Sequence, residues 1–260
     1  MARPKKSKDL IKVRRRKIFA RRFWLALRVL LISGFFVAAL WGINYFYNSS
    51  YFKIKTIDIE GNYHYNSEYI EGLLEELKGK NIFEADKKKV EDMLIEDLTW
   101  IKQVDFRKIF PDRIDLFIVE RGPVIMVTYR NKHYLLDEEG IVLEDLGGDV
   151  PEAYEYLLEV TGAIDHGLEP GDLVAKKNVL SCADIYRGFD DDLKSIIKRA
   201  GIKDNVNGDI FFFTHEGIEI VIGDSRQVIK KIEVLKLLLK EDREYNIIDL
   251  RSPDNPVVKY

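Results

Sequence analysis

The chain has 260 residues, with 41 Lys and Arg against 44 Asp and Glu, and a formal net charge of −3 at pH 7. Its single cysteine, Cys182, excludes an intrachain disulfide, so the stability of the fold must come from packing. The charge is unevenly placed: residues 1–22 hold 11 Lys and Arg and one acid, whereas residues 48–260 hold 29 Lys and Arg and 43 acids. The large acidic part argues against a general nucleic-acid partner.

The first predicted element is a transmembrane helix over residues 23–47, which form one apolar block. About 25 residues at about 1.5 Å each give about 37 Å, enough to cross a hydrocarbon core of about 30 Å. Trp24 near one end and Trp41 near the other are typical of the membrane–water interface. A cleaved signal peptide fits less well, because its apolar region usually has about 7–15 residues and leads to a small-residue cleavage site.

Residues 1–22 form a basic tail directly in front of this block. Lys and Arg runs can bind nucleic acid through phosphates, which is one alternative for the tail. Basic residues next to a span also set its orientation and attract anionic lipid by about 1 kcal/mol each. We therefore predict a cytoplasmic tail over residues 1–22, an extracytoplasmic part after the span, and no nucleic-acid partner.

Residues 51–121 predict a small domain with the order strand, helix, helix, strand, strand. Apolar and polar residues alternate over residues 52–60, as in a strand with one buried face. One helix is predicted between Ser67 and Gly79, and a second after Asp86. Residues 101–109 and 113–120 predict a hairpin, and a three-stranded sheet covered on one face by two helices satisfies the whole pattern.

Residues 122–260 predict a second, mixed α/β domain with a mostly antiparallel sheet, so the overall fold class is α+β. Helices are predicted over residues 178–187 and 190–200, and a long helix after a Ser225 cap. Short strand patterns recur between turn residues, at 124–129, 134–136, 141–143, 211–213, 218–222, 247–251 and 257–258.

Two ordered sets of short motifs carry a resemblance to a known family. The first set looks like a POTRA domain and consists of Tyr51-Phe52-Lys53-Ile54, Ile57-Asp58-Ile59-Glu60-Gly61-Asn62, Trp100-Ile101, Pro111-Asp112-Arg113-Ile114 and Val119-Glu120-Arg121-Gly122-Pro123. The second set consists of Tyr134-Leu135-Leu136-Asp137, Gly140-Ile141-Val142, Gly217-Ile218-Glu219-Ile220, Ile222-Gly223, Lys231-Ile232 with Leu235, and Ile248-Asp249-Leu250-Arg251. With a single span in front, the chain resembles the FtsQ/DivIB bacterial cell-division family over nearly all its length except the basic tail.

The resemblance implies a βααββ POTRA domain and a non-enzymatic, single-span scaffold of the divisome. Such proteins hold small single-span partners of the FtsB/DivIC and FtsL type and help couple septal peptidoglycan synthesis to division. It also implies a place in the bacterial inner (cytoplasmic) membrane at the division septum, with the POTRA domain serving recruitment of other septal proteins.

The carboxyl-terminal strand region is the expected partner site, because an uncovered sheet edge can accept a partner strand. By resemblance, the partner-binding residues are Ile248, Leu250, Arg251, Ser252, Asp254, Asn255, Val257 and Val258. The alternative is that this strand only completes the sheet, with Pro253 and Pro256 protecting its edge.

The sequence predicts no catalytic, metal or cofactor site. The four histidines stand apart, without an H-E-x-x-H metal motif, and no G-x-S-x-G motif is present. Cys182 lies on an apolar helical segment and is predicted to be a buried structural thiol. Residues 190–192 are predicted to be the acidic start of a helix rather than a calcium loop.

Two rival functions remain open at the level of sequence. A POTRA-bearing assembly or secretion factor would need many further alternating strands of about 10 residues to form a membrane barrel. An envelope hydrolase would need a pair of carboxylates, and the many acids of the chain offer accidental pairs.

Overall fold

The computed structural model describes residues 6–174, 177–203, 208–241 and 244–260. A long helix α1, Lys6–Tyr47, opens the described chain. Its segment Arg21–Tyr47 has 27 residues and a mean hydropathy of 2.2, and it is the one candidate membrane span among the described residues. The predicted span over residues 23–47 is therefore confirmed as a helix. Of the predicted basic tail, residues 6–22 are part of α1, and residues 1–5 lie outside the described residues.

Contacts divide the chain into two compact units that do not follow the predicted boundary. The first contains α1 and the residues that follow it to Ile59, Ser67–Lys87 and Phe106–Leu116. The second contains Glu60–Asn66, Lys88–Asp105 and Phe117–Tyr260. The boundary between residues 121 and 122 stays a prediction.

The order strand, helix, helix, strand, strand is confirmed over the POTRA-like region. Its elements are β1 Thr56–Glu60, α2 Ser67–Leu73, α3 Lys87–Asp97, β2 Ile101–Ile109 and β3 Arg113–Glu120. The three strands form one sheet in the order β1-β3-β2.

Two predicted bounds in this region were wrong. Strand β1 begins at Thr56, because Ser50–Phe52 form a 3-10 turn and Lys53 makes an isolated bridge to Asn81. Helix α2 ends at Leu73, and a second 3-10 turn follows before the chain reverses at Gly79, whose φ is +77°.

Glu120, the last residue of β3, and the following Arg121 each make side-chain contacts that order the structure around them. The Glu120 carboxylate accepts hydrogen bonds from the backbone N–H groups of Tyr63 and His64, at 2.9 Å each, and so holds the loop after β1. The Arg121 guanidinium donates to the buried Asp137 carboxylate and, at 2.7 Å, to that of Glu139. Glu120 thus orders the loop after β1, and Arg121 neutralises the buried Asp137.

The described residues between 125 and 259 form a nine-stranded sheet with three α-helices. The strands are β4 Ile125–Tyr129, β5 Lys132–Leu136, β6 Val142–Gly147, β7 Glu159–Thr161, β8 Ile197–Ile202, β9 Ile210–Thr214, β10 Glu219–Gly223, β11 Ile247–Asp249 and β12 Val257–Lys259. The helices are α4 Lys177–Arg187, α5 Asp191–Ile196 and α6 Val228–Leu239. The strand order is β12-β11-β10-β9-β8-β7-β4-β5-β6. Only β10–β11, β4–β7 and β7–β8 pair in parallel, so the prediction of a mostly antiparallel sheet is confirmed.

Three local predictions for this sheet domain were wrong. The helix expected over residues 190–200 ends at Ile196, and Ile197–Ile202 form β8 between β7 and β9. The pattern there suits either element, and pairing with two neighbouring strands outweighs helical periodicity. Helix α6 begins at Val228 after Gln227 rather than at a Ser225 cap, and the short strand β7 was missed.

One core of buried apolar residues joins the helices to one face of this sheet. Cys182 of α4, Leu193 of α5 and Leu235 of α6 meet Phe212 of β9 and Ile248 of β11 in this core. Cys182 is fully buried, as predicted, and burial raises the pKa of its thiol to about 12. The thiol therefore stays protonated and unreactive at neutral pH.

Candidate partner-binding edge at the carboxyl-terminal strand

Strand β12, and not β11, carries the open edge of the sheet. Strand β11 pairs in parallel with β10 on one side and antiparallel with β12 on the other. Strand β12 ends the strand order, and no strand among the described residues pairs with its outer side. Within the predicted strand region, Val257–Lys259 pair with residues 247–249 on their outer side, so the edge lies at the second part of that region.

The side chains of Ile248 and Leu250 face the core rather than solvent. Both are 0% exposed, and the Leu250 backbone N–H donates to the Val221 carbonyl at 2.7 Å. These two predicted partner residues therefore secure β11 to the sheet. Because Ile248 also pairs with Val258, a partner strand could pair with the Ile248 backbone only by displacing β12.

The turn between β11 and β12 presents the polar members of the predicted set. The residues Arg251, Ser252, Asp254 and Asn255 are exposed there. The Asn255 N–H donates to the Ser252 carbonyl at 3.0 Å, and Lys230 of α6 pairs with Asp254. The turn is thus stabilised by a backbone hydrogen bond within it and by an ion pair to α6.

The Arg251 side chain, although 56% exposed, pairs with two acids of the sheet domain. Its guanidinium contacts the Asp249 carboxylate at 2.6 Å and the Asp209 carboxylate at 3.4 Å. The hydrogen bond to Asp249 raises the pKa of Arg251. Beneath it, Gly223 has φ +77°, and a Cβ there would lie 2.7 Å from the Arg251 Cγ, so only glycine fits.

Strand β12 itself alternates between the core and solvent. Val258 is half-buried and packs against the core, whereas Val257 and Lys259 are exposed. Successive side chains of a strand point to opposite faces, so a partner strand beside β12 would meet Val257 and Lys259 on one face. Lys259 is a residue that the sequence reasoning missed, although it continues the alternation of Val257 and Val258.

A buried lysine supports the sheet next to this edge. Lys231 of α6 is 2% exposed, and its ammonium donates to the Ile222 and Asp224 carbonyls at 2.9 Å each. It also contacts the Asp224 carboxylate at 3.3 Å. Hydrogen bonds from Arg226, and then from Lys231, lower the pKa of Asp224 to about 2. The lysine therefore ties α6 to the end of β10, the strand that supports β11.

The opposite edge of the sheet is less regular. The pairing of β6 with β5 shifts register twice, which marks bulges. The start of β6 is also covered, because the Val142 N–H donates to the Asp172 carbonyl at 2.9 Å and its carbonyl accepts from Gly171 at 2.8 Å. Bulges and a covering loop protect an edge from further strand pairing.

Within the described part of the chain, no group of three or more His, Cys, Asp or Glu side chains could hold a metal ion.

The predicted acidic helix start is confirmed, because the Asp190 side chain caps α5 by accepting from the Leu193 N–H at 3.1 Å. The Lys236 ammonium, with this backbone bond, lowers the pKa of Asp190.

Comparison with known proteins identifies two regions of the chain. Residues 52–121 match the family described as POTRA domain, FtsQ-type, and residues 125–251 match cell division protein FtsQ/DivIB, C-terminal. Strand β12 lies after the second matched region. Together these regions account for the POTRA-like elements and for the sheet as far as Arg251.

Relatives with curated names support both matches. The cell division protein DivIB of Clostridium acetobutylicum is 34% identical over 94 residues, 36% of this chain and 37% of the relative. The cell division protein FtsQ of Chloroflexus aurantiacus is 25% identical over 231 residues, 88% of this chain and 82% of the relative. The FtsQ of Syntrophotalea carbinolica is 31% identical over 142 residues, 55% of this chain and 49% of the relative. The chain thus spans less than half of two of these relatives and most of the third.

A candidate span followed by a βααββ unit and a mostly antiparallel sheet defines a membrane-anchored POTRA protein. The two regions that follow the candidate span match an FtsQ-type POTRA model and an FtsQ/DivIB carboxyl-terminal model. The chain belongs to the FtsQ/DivIB family of cell-division proteins.

Proposed function

We propose that this protein is a non-enzymatic scaffold of the bacterial divisome that binds FtsB/DivIC-type and FtsL-type partners through β12. The observation that carries the proposal is the place of β12 at the end of the strand order, with no strand of the described residues on its outer side. An extended partner segment added there would gain main-chain hydrogen bonds, while side-chain contacts would supply specificity. By holding these partners, the scaffold would help couple septal peptidoglycan synthesis to division.

The polar turn before β12 extends the proposed contact surface. The backbone of β12 would pair with the partner, and Val257 and Lys259 would contact its side chains. The exposed turn residues Ser252 and Asn255 lie beside the start of this edge. In this proposal Ile248 and Leu250 contribute by positioning the edge rather than by touching the partner.

Site-specific photo-crosslinking in dividing cells tests the edge. A benzophenone amino acid is placed at Val257 or at Lys259, and the matched control is placed at Asp145 on the opposite edge strand β6. We expect small single-span division proteins to be captured from both β12 positions and not from Asp145. Equal capture from Asp145, or no capture from β12, would show that the sheet edge is not the partner site.

We further propose that the amino terminus is cytoplasmic and that residues 48–260 lie outside the cytoplasmic membrane, at the septum. The basic residues before the span favour this orientation, because Lys and Arg near a span are retained in the cytoplasm. Protease treatment of intact spheroplasts should digest the large acidic part. Complete protection of that part, with digestion only after lysis, would reverse the proposed topology.

The POTRA region, in this proposal, serves localisation and recruitment of other septal proteins. A fluorescent fusion that lacks β12 but keeps the span and residues 51–121 should still collect at the septum. Loss of septal localisation in that fusion would assign recruitment to the carboxyl-terminal sheet instead.

A further inference from the structure

The connection between the span and the POTRA elements is short and ordered. Helix α1 ends at Tyr47, and the 3-10 turn Ser50–Phe52 begins after two residues. The Ser49 hydroxyl caps this turn by accepting a hydrogen bond from the Tyr51 N–H at 3.2 Å. There is no long linker here, so the first POTRA residues stay close to the end of the span.

Backbone hydrogen bonds join this connection to a loop after α2. The Ile54 N–H donates to the Lys80 carbonyl at 2.9 Å, and the Ile82 N–H donates to the Phe52 carbonyl at 2.8 Å. The nearly buried Asn81 donates from its side-chain amide to the Tyr47 carbonyl. This bond satisfies one of the carbonyls that a helix leaves unpaired at its end. The loop, and with it Phe83, is thereby attached to the last turn of the span.

Aromatic rings continue from the span onto this loop without a gap. The Tyr47 ring stacks on Phe83 with centroids 5.2 Å apart, and Phe46 contacts Phe52 at 4.9 Å. Phe83 in turn contacts Phe52 at 5.2 Å and Phe110, in the β2–β3 turn, at 5.3 Å. We name these five residues the junction ring cluster.

The outer rings of this cluster are much more exposed than a folded core requires. Phe52 at its centre is 7% exposed, whereas Phe110 is 56% and Phe83 is 41% exposed. The neighbouring Tyr51, whose ring contacts Phe52 at 5.2 Å, is 59% exposed. A group of exposed aromatic side chains of this kind marks a surface that contacts a membrane or another protein.

We propose that the junction ring cluster inserts into the headgroup region of the membrane that holds the span, and so rests the POTRA elements on the bilayer surface. We identify lipid as what this surface contacts, because the ring cluster is continuous with the end of the candidate span. Phe46 and Tyr47 are the last residues of the candidate span, where aromatic rings characteristically lie at the membrane–water interface. Because Phe83 and Phe110 follow Tyr47 ring by ring, they lie beside that same interface.

The polar groups around the cluster fit the same occupant. Lys53 and Lys55 are exposed next to the rings, and Lys55 pairs with Asp112 at 2.6 Å. Lysine can lay its alkyl stem along an apolar surface while its ammonium stays among water and headgroups. A ring cluster with lysines at its margin has the composition of an interfacial membrane contact.

Depth-resolved fluorescence quenching tests the proposal on the full chain, with one copy in each lipid nanodisc. The variant Phe110→Cys carries an environment-sensitive NBD label, and the lipids carry a doxyl quencher just below the headgroups. Tyr45→Cys in the span serves as the positive control, and the exposed Tyr156→Cys of the sheet domain serves as the negative control. The unsubstituted chain checks that the buried Cys182 takes no label.

We expect the label at position 110 to be blue-shifted and quenched to an extent comparable with position 45, and the label at position 156 to be neither. A second variant, Tyr51→Cys, leaves Phe83 and Phe110 intact and should be quenched as well, which covers the case in which loss of the Phe110 ring disturbs the cluster. Water-like emission and no quenching at both 51 and 110 would overturn the proposal. Since the quencher is on the lipids and each disc holds a single copy without a division partner, quenching reports contact of the label with lipid.

Discussion

Replacing Lys231 by methionine should destabilise the sheet next to the proposed partner edge. Methionine keeps the alkyl stem of the lysine but removes the ammonium, which donates to the Ile222 and Asp224 carbonyls at 2.9 Å each. The stem stays packed, so the effect reports the hydrogen bonds rather than a cavity. Lys230 offers a matched control, because its side chain is 48% exposed and pairs with Asp254 on the surface.

The magnitude follows from the groups that lose their donor. Two carbonyl oxygens become unsatisfied at a cost of about 1–3 kcal/mol each, and removal of the desolvated ammonium returns part of this. The Asp224 side chain is 45% exposed and keeps Arg226 as a partner, so it adds little. We expect a net loss of about 2–4 kcal/mol for Lys231→Met, against about 0–1 kcal/mol for Lys230→Met.

Hydrogen exchange of the full chain in nanodiscs measures this difference locally. Amides of β10, residues 219–223, should exchange roughly 30-fold faster or more in Lys231→Met than in the unsubstituted chain. Lys230→Met should change them by only a few-fold. Equal exchange in the two variants would refute the reasoning that the buried ammonium holds β10.

Two further predictions concern the same region. Leu250→Ala should lower the free energy of unfolding by about 2–5 kcal/mol, because it leaves a cavity at a fully buried position. The control Ser252→Ala, at an exposed position, should change it little. Equal unfolding midpoints of the two variants in denaturant would contradict this. The pKa of Asp224 lies at about 2, lowered chiefly by Arg226, so its ionised form stabilises the fold above about pH 4 and this contribution disappears as the pH falls through about 2. The stability difference between the unsubstituted chain and Asp224→Asn should follow that course, and a difference unchanged down to pH 2 would show that the carboxylate is not held by these partners.

Local sequence patterns predicted those helices and strands whose own residues show a clear period of apolar positions. The hairpin over 101–109 and 113–120 has the predicted bounds, and the helix predicted over residues 178–187 begins one residue earlier, at Lys177, and ends as predicted. The strand at Ile197–Ile202 was not predictable in this way. Apolar residues at positions 197, 200 and 202 suit either a helix or a strand, and the pairing of this segment with β7 involves residues much earlier in the chain.

The candidate site shows the same division. Motifs such as Ile248-Asp249-Leu250-Arg251 placed the predicted partner site near the carboxyl terminus, but they could not show that Ile248 and Leu250 face the core. The burial of Lys231 was equally invisible, since a lysine on a helix is usually exposed. It became visible only when the end of β10 supplied two carbonyl acceptors.

The sequence alone determined the apolar span, the asymmetry of charge around it and the order of motifs that marks the family. These depend on neighbouring residues, through hydropathy, charge and short periodic patterns. Tertiary structure alone decided which strand is outermost, which acid and which lysine are buried, and how Tyr47 meets Phe83. Each of these depends on which distant segments pair through backbone hydrogen bonds. Local hydropathy, charge and periodicity do not specify that pairing.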